Sequence, residues 1–315
     1  SAVLSTLVGA GVVAVGVISA AAIVKGGAGY VLGLVDLPRA AVEVAVLAVL
    51  GAIAALGVVQ SLSVAALLTL TEILGLLVVS AAGFLAPPVT ALGDFASLEL
   101  VAAADPGVLF GAALLAFFAF VGFEDMVNLA EEVVDPAGTI PRAIALAVAI
   151  TTALYCLVSV SALSAVPAER LGASERPLAL VFEAGTGLSD RPILLVAIAA
   201  TLNGGLALIV MVARVLYGLG CRRAWLGWFC VLHPRLRTPV RGTAVACGVI
   251  AVLALAAPIE RLASLASTVL LVNFLVVNAA LVVLKRREPP PEGAPDAPLA
   301  VPVLAFASAL MLLLF

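Results

Sequence analysis

Long apolar runs separated by short polar stretches dominate the chain and set its predicted architecture. An apolar run of about 18 residues or more is long enough to cross a bilayer as a helix. The pattern predicts spans near residues 2–24, 42–59, 63–85, 139–165, 192–219, 243–257 and 262–284, an interrupted run at 107–134, and a last run from residue 299. We therefore expect about nine membrane spans in a single transmembrane domain covering residues 1–315.

The fourth run is interrupted by polar residues. Residues 107–121 form an apolar stretch of 15 residues, about 22 Å of helix, which is too short for a hydrocarbon core of roughly 30 Å. Residues 107–134 number 28, about 42 Å of helix, which is too long. Two half-helices that meet inside the bilayer at residues 118–122 reconcile these lengths, and such breaks are tolerated where they line a cavity. The sequence thus predicts a discontinuous helix at 107–134.

Composition narrows the class of protein. The chain is 64% hydrophobic and 11% charged, with a mean hydropathy of +1.28, whereas soluble domains have about 25% charged residues. We expect an all-α polytopic membrane protein. P-loop, HExxH and GxSxG motifs are absent from the sequence, so we expect neither an enzyme nor a cofactor. The spacing of Cys221, Cys230 and His233 does not favour a metal site, and the basic loop around them lacks the pattern of a nucleic-acid binder.

The stretch from Phe117 to Ala143 resembles a known motif. It reads FFAFVGFEDMVNLAEEVVDPAGTIPRA and is similar to the sixth helix and following loop of amino acid permeases of the amino acid–polyamine–organocation superfamily. The resemblance implies a five-plus-five inverted-repeat (LeuT-like) fold, of which this chain would contain helices 3–11. The family's first two helices, including a glycine-rich break that would hold the substrate carboxylate, have no counterpart here. We therefore expect a fragment of a longer permease.

The interrupted run supplies the candidate substrate site. A helix that ends near Val121 directs the negative end of its dipole, with free carbonyls of about Phe118, Ala119 and Val121, at the break, and an ammonium group suits those acceptors. The resemblance implies the same role for this stretch. Gly122 permits the bend because it has no Cβ. The expected substrate-binding residues are Phe117, Phe118, Ala119, Phe120, Val121, Gly122 and Glu124. The structural alternative is a glycine kink in an ordinary core helix, with Glu124 only capping the second half-helix.

Other charged residues within the apolar runs are also candidates. Glu72 lies in the middle of the third run, where an ionisable group is costly; it is either an ion-coupling residue or a polar contact between helices. Glu131 and Glu132 stand at a helix end whose dipole disfavours them, so we expect them to pair with arginines such as Arg142 in an inner gate or structural latch, unless they are simply solvated. Asn203 is expected to form hydrogen bonds between helices.

These expectations combine into a function. The sequence predicts a secondary transporter in the plasma (inner) membrane that moves amino acids, preferably neutral ones, or related amines by alternating access, with a proton or sodium ion as a coupling partner. The alternative is a non-transporting membrane scaffold derived from a permease. The positive-inside rule places the basic loop at residues 220–241 in the cytoplasm.

Overall fold

The chain is described by a computed structural model that covers residues 2–57, 62–89, 105–124, 126–127, 133–287 and 298–314. All regular secondary structure in these residues is helical. The helices are α1 (Ala2–Leu32), α2 (Arg39–Leu56), α3 (Leu62–Leu85), α4 (Pro106–Phe118), α5 (Pro136–Ala165), α6 (Ala168–Ala173), α7 (Pro177–Thr186), α8 (Arg191–Arg222), α9 (Val240–Ala256), α10 (Ile259–Arg287) and α11 (Ala300–Leu314).

Six of these helices, namely α1, α2, α3, α5, α8 and α10, are long and apolar enough to cross a membrane, and α4, α7, α9 and α11 are shorter apolar helices. The protein is therefore an all-α, multi-pass integral membrane protein, as predicted. The expected total of about nine spans in one domain, equivalent to the family's helices 3–11, stays a prediction.

The start of α5 differs from the expectation. The apolar pattern predicted a span from about residue 139, but the helix begins at Pro136. The carboxylate of Asp135 accepts a hydrogen bond from the Gly138 N–H at 3.3 Å, while the Thr139 hydroxyl donates to the Val134 carbonyl at 3.1 Å. The prediction was wrong because the Asp-Pro pair supplies both a side-chain acceptor and a first-turn proline earlier in the sequence.

The residues cluster into two compact units. The first comprises residues 1–15, 102–153 and 263–315, and the second comprises residues 16–101 and 154–262. Three of the four boundaries fall within α1, α5 and α10, and the fourth, between residues 101 and 102, lies outside the described residues.

In the second unit, small residues bring helices close together. A Cβ on Gly185 in α7 would collide with the backbone of Ala82 in α3, and one on Gly205 in α8 would lie 2.9 Å from the Leu50 side chain of α2. Close approach at small residues is the usual basis of helix packing in membranes, where dispersion contacts replace the hydrophobic effect.

The hydroxyl groups of many serines and threonines bond to their own helix. Each donates to the carbonyl three or four residues earlier, over distances of 2.7–2.9 Å. The residues are Thr71, Ser80, Thr152, Ser161, Ser164, Thr186, Thr201 and Thr268. This local bonding satisfies polar groups in an apolar setting without a neighbouring helix.

The connection between α8 and α9 is folded tightly. Cys221 and Cys230 form a disulfide around a 3₁₀ helix, Ala224–Phe229. Further along, the Thr238 hydroxyl donates to the Ala55 carbonyl at the end of α2, at 2.6 Å. This disulfide was not expected from the cysteine spacing in the sequence.

Candidate functional site

The first half of the fourth run ends as a helix inside the predicted interruption, and the predicted second half-helix lies largely outside the described residues. Helix α4 ends at Phe118, and the bonds that follow span three residues instead of four: Phe120 N–H donates to the Phe117 carbonyl at 3.0 Å, and Val121 N–H donates to the Phe118 carbonyl at 3.1 Å. The expectation that the Phe118 carbonyl has no partner is therefore wrong. A carbonyl oxygen has two lone pairs, so the Phe118 oxygen can still accept a second hydrogen bond.

Gly122 makes the turn. Its φ is +121°, a value that side-chain-bearing residues rarely adopt. A Cβ at this position would meet no described atom within 4 Å, so the backbone conformation, not crowding, requires glycine here. The Gly122 N–H donates to the Glu124 carboxylate at 2.9 Å. Glu124 is half-buried and holds the turn while it places a negative charge beside it.

Aromatic rings bracket the break. The rings of Phe117 and Phe274 are 6.3 Å apart at 89°, and those of Phe123 and Phe274 are 6.0 Å apart at 48°. Phe274 belongs to α10 and thus contacts the chain on both sides of Gly122. Sequence reasoning named Phe117, Phe118 and Phe120, which are half-buried, but missed Phe123 and Phe274.

A polar side chain lies next to this aromatic cluster. Asn273 is only 8% exposed, and its Nδ2 has no hydrogen-bond partner among the described residues. Gly11 in α1 packs against the same side chain, and a Cβ there would collide with it. On the same helix, the Ser267 hydroxyl donates to the Leu114 carbonyl of α4 at 2.9 Å. Helix α10 therefore bonds to α4 through Ser267 and presents the buried Asn273 amide to α1.

The structure describes only some of the remaining residues proposed for the break and the gate. Ala119 is exposed and Val121 is half-buried, both in the turn after α4. Arg142 is exposed in the second turn of α5. Its expected partners, Glu131 and Glu132, lie outside the described residues, so the latch stays a prediction.

Glu72 has a partner on another helix. Its carboxylate accepts a hydrogen bond from the Asn203 amide at 3.0 Å, which joins α3 to α8. Glu72 is half-buried, and the Tyr155 hydroxyl is near enough to interact electrostatically with it. Asn203 was expected to bond between helices, but the sequence did not identify Glu72 as its partner.

Asn203 also borders a cavity of about 450 Å³ among α2, α8 and the start of α9. Its other lining residues include Leu206, Val210 and Arg214. The Glu72 carboxylate is thus one hydrogen bond away from an open cavity.

One buried acid that was not identified from the sequence is the centre of a group of ion pairs. Glu43 is 3% exposed and accepts from Arg39 at 3.0 Å and from Lys25 at 3.4 Å. Lys25 also donates to the Ala254 carbonyl at 2.8 Å, and Arg39 pairs with Glu175. The i,i+4 spacing of Arg39 and Glu43 was the signal that could have found this ion-pair group.

An all-α, multi-pass membrane protein with an interrupted helix is the class that these features define. The sequence model of the amino acid permease family matches residues 1–315. The chain belongs to the amino acid permease family.

Curated relatives are transporters. The chain is 35% identical over 210 residues to an uncharacterized transporter of Mycobacterium tuberculosis, a match covering 66% of this chain and 48% of that protein. It is 28% identical over 191 residues to the branched-chain amino acid permease of Bacillus subtilis, covering 58% and 40%. It is 29% identical over 189 residues to human cationic amino acid transporter 4, covering 60% and 30%. The matches span about half the length of these relatives or less.

Proposed function

We propose that this chain forms the substrate-binding and ion-coupling part of a secondary transporter for amino acids or related amines, and that it is not an enzyme. The observation that carries the proposal is the end of α4 at Phe118, followed by the left-handed turn at Gly122. Backbone breaks of this kind in membrane helices are associated with substrate and ion sites.

The electrostatics of the break favour a cation. The carboxyl end of α4 carries the negative end of the helix dipole, and the half-buried Glu124 carboxylate lies two residues beyond Gly122. An ammonium group can donate three hydrogen bonds to such acceptors and has no need of an acceptor itself. We therefore assign the amino group of the substrate to residues 117–124.

The aromatic cluster favours an uncharged substrate side chain. Phe117, Phe123 and Phe274 present ring surfaces around the break, and ring surfaces suit apolar groups. We propose neutral amino acids as the preferred substrates, in keeping with the branched-chain permease of Bacillus subtilis. The cationic amino acid transporters among the relatives make lysine and arginine the competitors to test.

Glu72 is the proposed coupling residue. A carboxylate inside a membrane helix is costly unless it has a partner, and Asn203 supplies a neutral donor that leaves the charge of Glu72 uncompensated. Asn203 also borders the cavity, so the carboxylate lies one hydrogen bond from that cavity. Transport then proceeds by alternating access, with protonation of Glu72 linked to the substrate-bound state.

Proteoliposomes test the whole proposal. Purified protein is given a mixture of amino acids, with and without an inward proton gradient, and internal amino acids are measured by mass spectrometry. We expect neutral amino acids to accumulate only with the gradient. Gradient-independent uptake would refute the coupling, and the absence of both uptake and exchange would favour a permease-derived scaffold.

Matched variants isolate the coupling residue. Glu72→Gln should remove the response to the proton gradient while substrate exchange continues. Glu183→Gln serves as the control, because Glu183 is an exposed acid on α7 of the same unit. An unchanged gradient response in Glu72→Gln would contradict the assignment.

A further inference from the structure

We propose that the cavity among α2, α8 and the loop before α9 binds the phosphate of an anionic phospholipid. The cavity has a volume of about 450 Å³, enough for a headgroup but not for acyl chains. Two arginines, Arg214 and Arg237, line it together with apolar side chains that include Leu206, Val210 and Leu236. Charged groups beside an apolar wall match an amphiphile with a negative head.

The charge of this region is unbalanced. Residues 191–259 contain seven arginines and no acidic residue. Within the part of the chain that the structure describes, neither Arg214 nor Arg237 forms an ion pair. The seven are Arg191, Arg214, Arg222, Arg223, Arg235, Arg237 and Arg241. Guanidinium groups bind phosphate oxygens with two parallel hydrogen bonds, so an anion would complete what the protein leaves unpaired.

The backbone at Arg237 is held in a conformation that its residue type disfavours. Its φ is +54°, in the left-handed region that arginine seldom occupies. The turn is fixed by the Arg237 N–H, which donates to the His233 carbonyl at 2.8 Å, and by Thr238, whose hydroxyl bonds to α2. Glycine would adopt this turn with less strain. The presence of arginine here therefore points to a role for its side chain, which lines the cavity.

The surroundings favour a membrane lipid over a soluble anion. Helices α2 and α8 are both membrane-length, and the loop between α8 and α9 exposes Trp225 and Trp228. Tryptophan is enriched at the membrane–water interface. The guanidinium carbon of Arg241 lies 5.2 Å from the centre of the Trp228 ring, so a cationic group and an aromatic ring lie together here. Basic pockets between membrane helices are known to hold lipid headgroups.

Lipid retention tests this inference independently of transport. The purified protein is incorporated into nanodiscs of phosphatidylcholine with about 20% phosphatidylglycerol, so that most of the lipid is neutral. Phosphatidylglycerol that remains bound after extraction into detergent is counted by native mass spectrometry. We expect one retained phosphatidylglycerol, with retention weakened about fivefold by Arg214→Gln and on the order of 25-fold by Arg214→Gln combined with Arg237→Gln.

Control variants separate a defined site from general charge. Arg235→Gln removes a positive charge from the same loop but not from the cavity lining, and it should leave retention unchanged. Arg237→Gly removes the side chain while favouring the left-handed turn, so a loss of retention in this variant cannot be attributed to misfolding of the loop.

Three outcomes would overturn the proposal. They are equal retention by wild type and the double glutamine variant, an equal loss in Arg235→Gln, and displacement of the lipid by millimolar inorganic phosphate. The last outcome would identify a site for free anions in place of a lipid site.

Discussion

Two helices in this protein are followed by a glycine with a positive φ, and the two glycines differ in what surrounds them. Helix α2 ends at Leu56 and is followed by Gly57 with φ +71°. Helix α4 ends at Phe118, four residues before Gly122 with φ +121°. At Gly57 the Thr238 hydroxyl bonds to the Ala55 carbonyl, and a Cβ would lie 2.6 Å from the Thr238 methyl group. At Gly122 no described atom lies within 4 Å of such a Cβ.

The difference shows that a left-handed glycine after a helix does not by itself identify a binding site. The end of α2 is closed by another segment of the protein, which bonds to the Ala55 carbonyl and lies against Gly57, although Gly57 also lines the cavity described above. The end of α4 is open with respect to the described residues, with a carboxylate and aromatic rings nearby. The surroundings therefore distinguish a helix end that another segment of the protein caps from one that no described segment caps. Substitutions at both ends can test this distinction.

The largest expected effect is on stability at the closed end. Gly57→Ala adds about 1–2 kcal/mol of left-handed strain and pushes a methyl group into Thr238, for a total of about 3 kcal/mol. We expect a lower thermal midpoint in detergent, with substrate affinity retained by the fraction that remains folded. A stable variant with weakened affinity would reverse the roles of the two helix ends.

At the open end, Gly122→Ala should act on function. Strain of about 1–3 kcal/mol at the break corresponds to on the order of tenfold or more in substrate affinity, measured by amino acid binding in detergent. Gly111→Ala is the matched control, since Gly111 lies in α4 with no positive φ and no neighbour within 4 Å of its Cβ. Normal affinity in Gly122→Ala would argue against the break as the site.

The cap on α2 can be removed without changing the shape of the side chain. Thr238→Val keeps the volume but loses the hydrogen bond to Ala55, at a cost of about 1 kcal/mol. We expect a modest fall in the thermal midpoint and unaltered substrate binding. An effect as large as that of Gly57→Ala would mean that this hydroxyl, and not the glycine, determines how the helix ends.

The smallest expected effect concerns the rings around the break. Phe274→Leu removes two ring–ring contacts but keeps an apolar side chain, so binding of apolar amino acids should weaken only about twofold, or about 0.4 kcal/mol, while transport continues. Competition between leucine and alanine measures this effect, because only the larger side chain should reach the rings. An equal loss for both amino acids would assign Phe274 to packing alone.

Sequence alone predicted the features that depend on local pattern. Helix positions followed from apolar runs, and the break followed from run length together with Gly122 and Glu124. The restriction of the break to residues 118–122 was possible because the bilayer imposes a fixed length on each span.

Contacts between distant segments could not be predicted in this way. Glu72 and Asn203 are 131 residues apart, and no local signal connects them. The same holds for Phe274 beside Phe117, and for Thr238 at the end of α2. The disulfide between Cys221 and Cys230 depends on how the 3₁₀ helix turns the chain back on itself. These features arise from tertiary packing, which hydropathy does not encode.

The serine and threonine hydroxyls bonded to their own helices have a mechanical consequence. A hydroxyl that donates to its own backbone travels with that backbone, so two neighbouring helices can slide or tilt without rupturing a bond between them. At these positions the resistance to such motion comes from dispersion contacts, which are individually weak and re-form in a new register, whereas the Asn203–Glu72 and Ser267–Leu114 bonds hold particular helix pairs together. Helices built in this way can shift past one another repeatedly, as cycling between two arrangements would require.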